Sequence, residues 1–174
     1  MITIKFKNEN YNIKNSVKEL TIGELENILN IFTKEDNFIT KWFDVFIYLG
    51  LTEEIIDNIG IEDFKKLIKE FDFNTTSTKL KKSFIINGIE YKAFDSKFKL
   101  TVKNVLLIED YLTINPKKYI AEVIAILYTD KLNNLSIKEK AKIIRDHVNG
   151  EIAIPIINLI AITFFANLKT NINE

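Results

Sequence analysis

The strongest constraint in this chain is an internal repeat, in which residues 4–48 align without a gap with residues 84–128 at an offset of 80. Most apolar positions of the first copy meet apolar positions of the second. Self-similarity of this kind is typical of a chain built from repeated structural units. The sequence therefore predicts two tandem copies of one unit. Identical residues meet in the pairs Tyr11 and Tyr91, Ser16 and Ser96, Leu20 and Leu100, Thr21 and Thr101, Ile28 and Ile108, and Tyr48 and Tyr128.

Each copy is predicted to open with a β-hairpin. In the first copy, apolar and polar residues alternate over residues 2–6, and residues 8–10 are expected to turn the chain. In the second copy, Asn87 and Gly88 supply the two positive φ angles of a type I′ turn. A two-residue turn fixes the strand register and therefore the face on which Tyr91 lies.

Four helices are predicted after each hairpin, which makes the fold class α+β and predominantly helical. Thr21 with Glu24, and Ser136 with Glu139, have the spacing of a capping box, whereas Asn104 stands where the second copy would need that glutamate. The helices of the first copy are expected from residue 21, over about 36–49, from 52 to 60 and over 61–71. Those of the second copy are expected from residue 101, over about 116–128 and from 136 to about 148, followed by a stop at Gly150 and an apolar helix to about residue 168.

These elements divide the chain into a first unit at residues 1–73, a linker at residues 74–82 and a second unit at residues 83–174. The linker is rich in asparagine, threonine, serine and lysine, which are typical of turns and loops. The sequence leaves open whether the two units share one core.

Composition argues against several classes of function. The 24 basic residues balance the 24 acidic ones, so the chain has no net charge that would attract nucleic acid. Arg145 is the only arginine, and arginine is the preferred residue for bidentate contacts with phosphate and guanine, so specific nucleic-acid recognition is not favoured. There is no cysteine, which excludes thiol catalysis and thiolate metal sites. Residues 1–6 read as a strand, so we expect no secretory signal peptide.

Residues 152–168 form the most apolar stretch of the chain. The stretch has about the minimum length of a membrane span, of roughly 17 residues, but no basic flank or second apolar segment accompanies it. We therefore expect a helix that is buried in the core or covered by a partner, and not a membrane span.

No group of residues predicts an enzyme or a cofactor. His147, the only histidine, is expected near a helix C-terminus, where the helix dipole favours a cation and explains it without catalysis. Four acidic residues, Glu53, Glu54, Glu62 and Asp63, are expected at helix N-termini, where the dipole favours negative charge. Together with Asp57 they form a cluster for which metal binding is the alternative. The densest basic patch comprises Lys65, Lys66, Lys79, Lys81 and Lys82.

Apolar side chains supply the candidate interface. The aromatic residues around Trp42 are expected in the core unless Trp42 and Phe38 prove exposed, in which case they would form an interaction surface. The apolar C-terminal helix is the second candidate. The candidate residues are Phe38, Trp42, Ile156, Ile160, Phe164 and Phe165.

Several segments resemble a group of small tailed-bacteriophage proteins encoded among the virion and tail-assembly genes, similar to those of Bacteroides-type, crAss-like phages. The resemblance transfers no catalytic or binding residue. It lies in the first hairpin with Tyr11, in Glu19-Leu-Thr-Ile-Gly-Glu-Leu25, Ile86-Asn-Gly-Ile-Glu-Tyr91, Lys99-Leu-Thr-Val102 and Ala125-Ile-Leu-Tyr128, and in an apolar helix that closes on Phe164-Phe165.

This resemblance implies a non-enzymatic structural protein of the neck, tail or baseplate. It would be located in the virion, and in the host cytoplasm during assembly. Its partners would be other phage structural proteins, and neither nucleic acid nor membrane would be a specific partner. Two alternatives remain open: a cytoplasmic tail-assembly chaperone absent from the mature particle, and a small metal-dependent enzyme using the acidic residues.

Overall fold

The computed structural model describes residues 1–73, 80–93, 101–115, 118–130 and 135–158, and the fold is α+β and predominantly helical, as predicted. The elements of the first unit are β1 (Ile2–Phe6), β2 (Glu9–Ile13), α1 (Ile22–Thr33), α2 (Phe38–Tyr48), α3 (Glu53–Asn58) and α4 (Ile61–Glu70). Those of the second unit are β3 (Ser83–Ile86), β4 (Ile89–Ala93), α5 (Val102–Ile114), α6 (Ile120–Leu127), β5 (Tyr128–Asp130), α7 (Ile137–His147) and α8, described over residues 150–158.

Both hairpins have two-residue turns. Asn87 and Gly88 adopt φ angles of 50° and 78°, which confirms the predicted turn and its register. The prediction for the first hairpin was wrong in position, because the turn lies at Lys7 and Asn8, with φ angles of 46° and 68°, and Glu9 already belongs to β2. A lysine at positive φ carries no turn signal, so the turn could not be located from the sequence.

The second hairpin carries a third strand that was not predicted. The helix expected to continue to Tyr128 ends at Leu127, and β5 pairs with β4 in antiparallel register, so that Tyr128 lies opposite Ala93. The Tyr128 ring packs against Phe84 at 4.9 Å between centroids, and the Tyr128 hydroxyl donates to the Lys81 carbonyl at 2.7 Å. Ring packing and this hydrogen bond hold Tyr128 in the sheet.

Capping residues fix the helix starts as expected. The Thr21 hydroxyl accepts from the Glu24 N–H at 3.2 Å, and the Glu24 carboxylate accepts from the Thr21 N–H at 2.7 Å. The second predicted capping box, at Ser136 and Glu139, is also present. Helix α6 begins later than predicted, at Ile120, and residues 116 and 117 lie outside the described residues.

Gly150 was predicted to end a helix, but it is the first residue of α8. Its N–H donates to the Leu20 carbonyl at 2.8 Å, which draws the two backbones together. A Cβ at this position would lie 2.0 Å from the Val17 carbonyl oxygen. Only glycine fits this close approach, which joins the two units.

The buried side chains form two clusters, one for each unit, and each cluster receives a residue from the other unit. Ile22 of α1 packs in the cluster of the second unit, and Ile154 of α8 packs in the cluster of the first. The units therefore have separate cores that interlock. The order of a hairpin and four helices occurs in both units, but a true tandem repeat stays a prediction.

Candidate interaction site

Trp42 is a core residue and not an interface residue. It is 2% exposed, and the rings of Phe32, Phe46 and Phe71 each lie 5.4 Å from it between centroids. The candidate interface is therefore wrong at Trp42, because the burial of a large aromatic ring among other rings outweighs its use at the surface. The Trp42 indole N–H is buried with no hydrogen-bond partner in the described part of the chain.

Phe38 has the exposure that an interface residue requires. It begins α2, is 61% exposed and packs edge-on against Trp42 at 6.4 Å between centroids. Phe73 approaches Trp42 at 5.5 Å and is also exposed. These two phenylalanines form an apolar rim over the aromatic core of the first unit.

The C-terminal candidates divide into buried and undescribed residues. Ile156 on α8 is buried in the cluster of the second unit, so the expectation of an interface is wrong there as well. Ile160, Phe164 and Phe165 lie outside the described residues. Among the helices that the structure describes, none combines the length and the apolar character that a bilayer crossing requires.

The outer face of α5 is an apolar surface that the sequence did not single out. Val102 is 76% exposed and Leu106 is 55% exposed, while Ile108 on the opposite face is fully buried. The helix is thus apolar on both sides and buries only one of them. This surface could have been recognised in the sequence, because residues 102–114 carry apolar residues on both sides of the helix, whereas a surface helix normally has a polar outer face.

A partly buried ion cluster joins the two units at α1, α6 and α7. The Arg145 Nε donates to Glu26 at 2.7 Å, and its Nη2 donates to both carboxylate oxygens of Glu122 at 2.9 Å. Gly23 makes room for this side chain, since a Cβ there would lie 3.1 Å from the Arg145 Cγ. The only arginine of the chain therefore serves its internal structure.

The charges of this cluster do not balance. Glu26 and Glu122 face one guanidinium, and the Glu26 Oε1 is buried with no hydrogen-bond partner within the described residues. Burial, together with the negative charge of Glu122, raises the pKa of Glu26 despite the opposing effect of Arg145. Burial alone would lower the pKa of Arg145, but its hydrogen bonds to Glu122 and Glu26 outweigh burial and raise that pKa.

The acidic residues do not assemble a metal site. In the residues that the structure describes, no three acidic or histidine side chains are grouped so that they could hold a metal ion. Glu53 and Glu54 lie in the first turn of α3, and Glu62 and Asp63 in that of α4, where the helix dipole favours them. Three of the acids also form ion pairs: Glu54 with Lys7, Glu62 with Lys65 at 2.9 Å, and Asp63 with Lys66 at 2.8 Å.

The remaining predicted positions have structural explanations where they are described. His147 is the last residue of α7, and its Nδ1 lies 3.0 Å from the Ile143 carbonyl oxygen of the same helix. Lys81 pairs with Glu151 at 2.9 Å, whereas Lys79 lies outside the described residues. The site with most to offer a partner is thus the exposed apolar face of α5, followed by the rim of Phe38 and Phe73.

Comparison of the chain with known protein families, with curated proteins and with solved structures found no match.

Proposed function

We propose that this chain is a non-enzymatic protein of a tailed-bacteriophage particle, in its neck, tail or baseplate, and that it acts by contacting other structural proteins. The observation that carries the contact role is the outer face of α5, where Val102 and Leu106 expose apolar surface to solvent. Exposed apolar surface on a folded protein is a common mark of a protein–protein interface.

The assignment to a phage particle rests on the resemblance of the hairpin and helix-start motifs described above. A protein that acts by contact needs none of the groups that catalysis requires, and the acidic residues are used in helix starts and lysine pairs. A metal-dependent enzyme is therefore less well supported than a structural role.

An assembly chaperone is the second candidate, because the same apolar surface could hold a partner temporarily. Quantitative mass spectrometry of purified particles, compared with the infected-cell lysate, separates the two roles. The structural role predicts this chain in washed particles at a constant ratio to the major capsid protein. If it is abundant in the lysate but absent from the particles, the structural role is wrong and the chaperone is favoured.

The enzyme alternative has its own control. Replacing Glu53, Asp57 and Glu62 together by alanine should leave particle assembly unchanged, because all three carboxylates are exposed, Glu53 and Glu62 in the first turns of α3 and α4 and Asp57 near the end of α3. A folded triple variant that abolishes particle formation would contradict the contact role proposed for α5 and favour chemistry at the acidic residues.

A further inference from the structure

The exposed face of α5 is best understood beside α1, a helix with the same N-terminal cap. Thr21 caps α1 and Thr101 caps α5, each by accepting a hydrogen bond from the N–H three residues later. The first and fifth helical residues of α1 are Ile22 and Glu26, and both are buried against the second unit. In α1, the second unit therefore covers the face formed by these two positions.

In α5 the same two positions are more apolar and yet uncovered. The first and fifth helical residues are Val102 and Leu106, where α1 has an isoleucine and a glutamate. Residues four apart lie on one side of a helix, so the two side chains form a single apolar stripe. The stripe is the counterpart of a face that is buried in α1.

Charged residues of opposite sign flank this stripe. Lys103 lies three residues before Leu106, Glu109 lies three residues after it, and Asp110 follows. All three are exposed, and none forms an ion pair with another residue of the described chain. The arrangement has positive charge at one end of the stripe and negative charge at the other.

We propose that α5 pairs antiparallel with α5 of a second copy of this chain, about a twofold axis at Leu106. In such a pair, residues on one flank of the helix meet residues on the same flank of the partner helix, at the same height on opposite sides of the axis. Lys103 and Asp110 share a flank, and they lie about 4.5 Å and about 6 Å along the helix on either side of Leu106. Lys103 of each copy then faces Asp110 of the other. One surface thereby supplies both the apolar contact and complementary charges.

The contact is small, because it consists of one helix pair. Interfaces of this size fall at the weak end of the range for specific complexes, so the isolated chain should exchange between monomer and dimer at micromolar concentration. The pairing rests on the contact role proposed for α5 and makes a second copy of this chain the partner at that face, but it does not depend on the proposed place in a phage particle.

Sedimentation equilibrium from low to high micromolar concentration tests the pairing. The wild-type chain should dimerise, and Leu106→Glu should abolish the dimer because it places two carboxylates at the axis. Ile85→Glu is the matched control, since Ile85 is also exposed but lies on β3, and it should leave the dimer unchanged. A wild-type chain that stays monomeric, or a Leu106→Glu variant that still dimerises, would overturn the proposal.

Charge reversal tests the orientation. Lys103→Glu should weaken the dimer about fivefold or more, since it turns two attractive pairs into repulsive ones. Lys103→Glu combined with Asp110→Lys should restore the wild-type affinity, because the antiparallel pairs then form with their signs exchanged. Failure of the double variant to recover would rule out this orientation.

The absence of cysteine allows a test by crosslinking that does not depend on destabilising the dimer. Under oxidation, Leu106→Cys should form a disulfide dimer rapidly, because the two copies of residue 106 meet at the axis. Ile85→Cys should crosslink only at the slow rate of random collision. Equal rates for the two variants would contradict the proposed axis.

Discussion

At the scale of single residues, Arg145 has the largest structural consequence, because one guanidinium joins Glu26 of the first unit to Glu122 of the second. Taking these groups out of water is costly, and their hydrogen bonds compensate only while all three are present. The cluster therefore acts chiefly by selecting the register of α7 against α1. A displacement of α7 would leave charges buried without partners.

We expect Arg145→Met to lower the free energy of unfolding by about 3 kcal/mol, since it leaves two buried carboxylates facing each other without a cation. Urea unfolding followed by circular dichroism measures the change. Arg145→Met combined with Glu26→Leu and Glu122→Leu is the control, and it should recover most of the loss because none of the three charges of the cluster remains. A loss below about 0.5 kcal/mol in the single variant would mean that the ion cluster carries little weight.

Glu26 gives a prediction for pH dependence. Because burial raises the pKa of Glu26 in the folded chain, its ionisation opposes folding. The contribution of Glu26 to the free energy of unfolding is most favourable below the ordinary glutamate pKa. This contribution is lost as the pH rises through the pKa of Glu26 in the folded chain, and it stays unfavourable at higher pH. Glu26→Gln keeps an acceptor for Arg145 without the charge, so it should be at least as stable as the wild type at neutral pH.

The advantage of Glu26→Gln should shrink as the pH falls below the ordinary glutamate pKa, where the wild-type side chain is also neutral. Thermal unfolding at a series of pH values measures this difference. A variant that is less stable at neutral pH, and that recovers towards the wild type in acid, would show that the charge of Glu26 stabilises the fold.

At the scale of the elements, the beginning of α8 is the tightest backbone contact between the units. Gly150→Ala should prevent this contact, because the new Cβ would meet the Val17 carbonyl oxygen and neither backbone can yield. We expect a loss of more than about 3 kcal/mol, or failure to fold. Gly60→Ala is the matched control, since nothing lies within 4 Å of its Cβ position, and it should cost only about 1 kcal/mol because alanine is less favourable than glycine at this N-cap.

Thermal unfolding of both glycine variants provides the comparison. If Gly150→Ala unfolds at the wild-type temperature, the close approach of α8 to residues 17–20 is wrong.

The elements that the sequence predicted are those with local causes. The turn at Asn87 and Gly88 and the capping boxes at Thr21 and Ser136 depend on residues next to one another in the chain. β5 could not be predicted in this way, since it forms only because β4 offers a free edge and the ring of Phe84 offers a packing surface.

At the scale of the whole molecule, the sequence predicted two units but not how they join. The junction depends on Arg145 and Gly150, whose neighbours in space are distant in the chain: Glu26 for the first and Val17 for the second. A single arginine, or a glycine next to an apolar segment, can have many structural roles. The sequence therefore did not show which distant residues Arg145 and Gly150 contact. Trp42 lies in the core, as the aromatic helix led us to expect, and only its alternative role as an interface residue is wrong.

The surface that remains for a partner follows from this junction. Helix α7 covers α1, whereas the corresponding face of α5 has no such neighbour within the described chain, and Leu106 stays exposed. Helix α1 therefore holds the two units together, and we propose that α5 holds the molecule to a partner.

The most direct test of that assignment is the maleimide reactivity of Leu106→Cys, the only thiol of the variant chain, measured in dilute protein and in purified particles. Denatured samples supply the reference for full reactivity. We predict rapid labelling of the dilute folded chain and strong protection of the same thiol in the particle. Labelling that is equally rapid in both, or particles that lack the chain, would contradict the account.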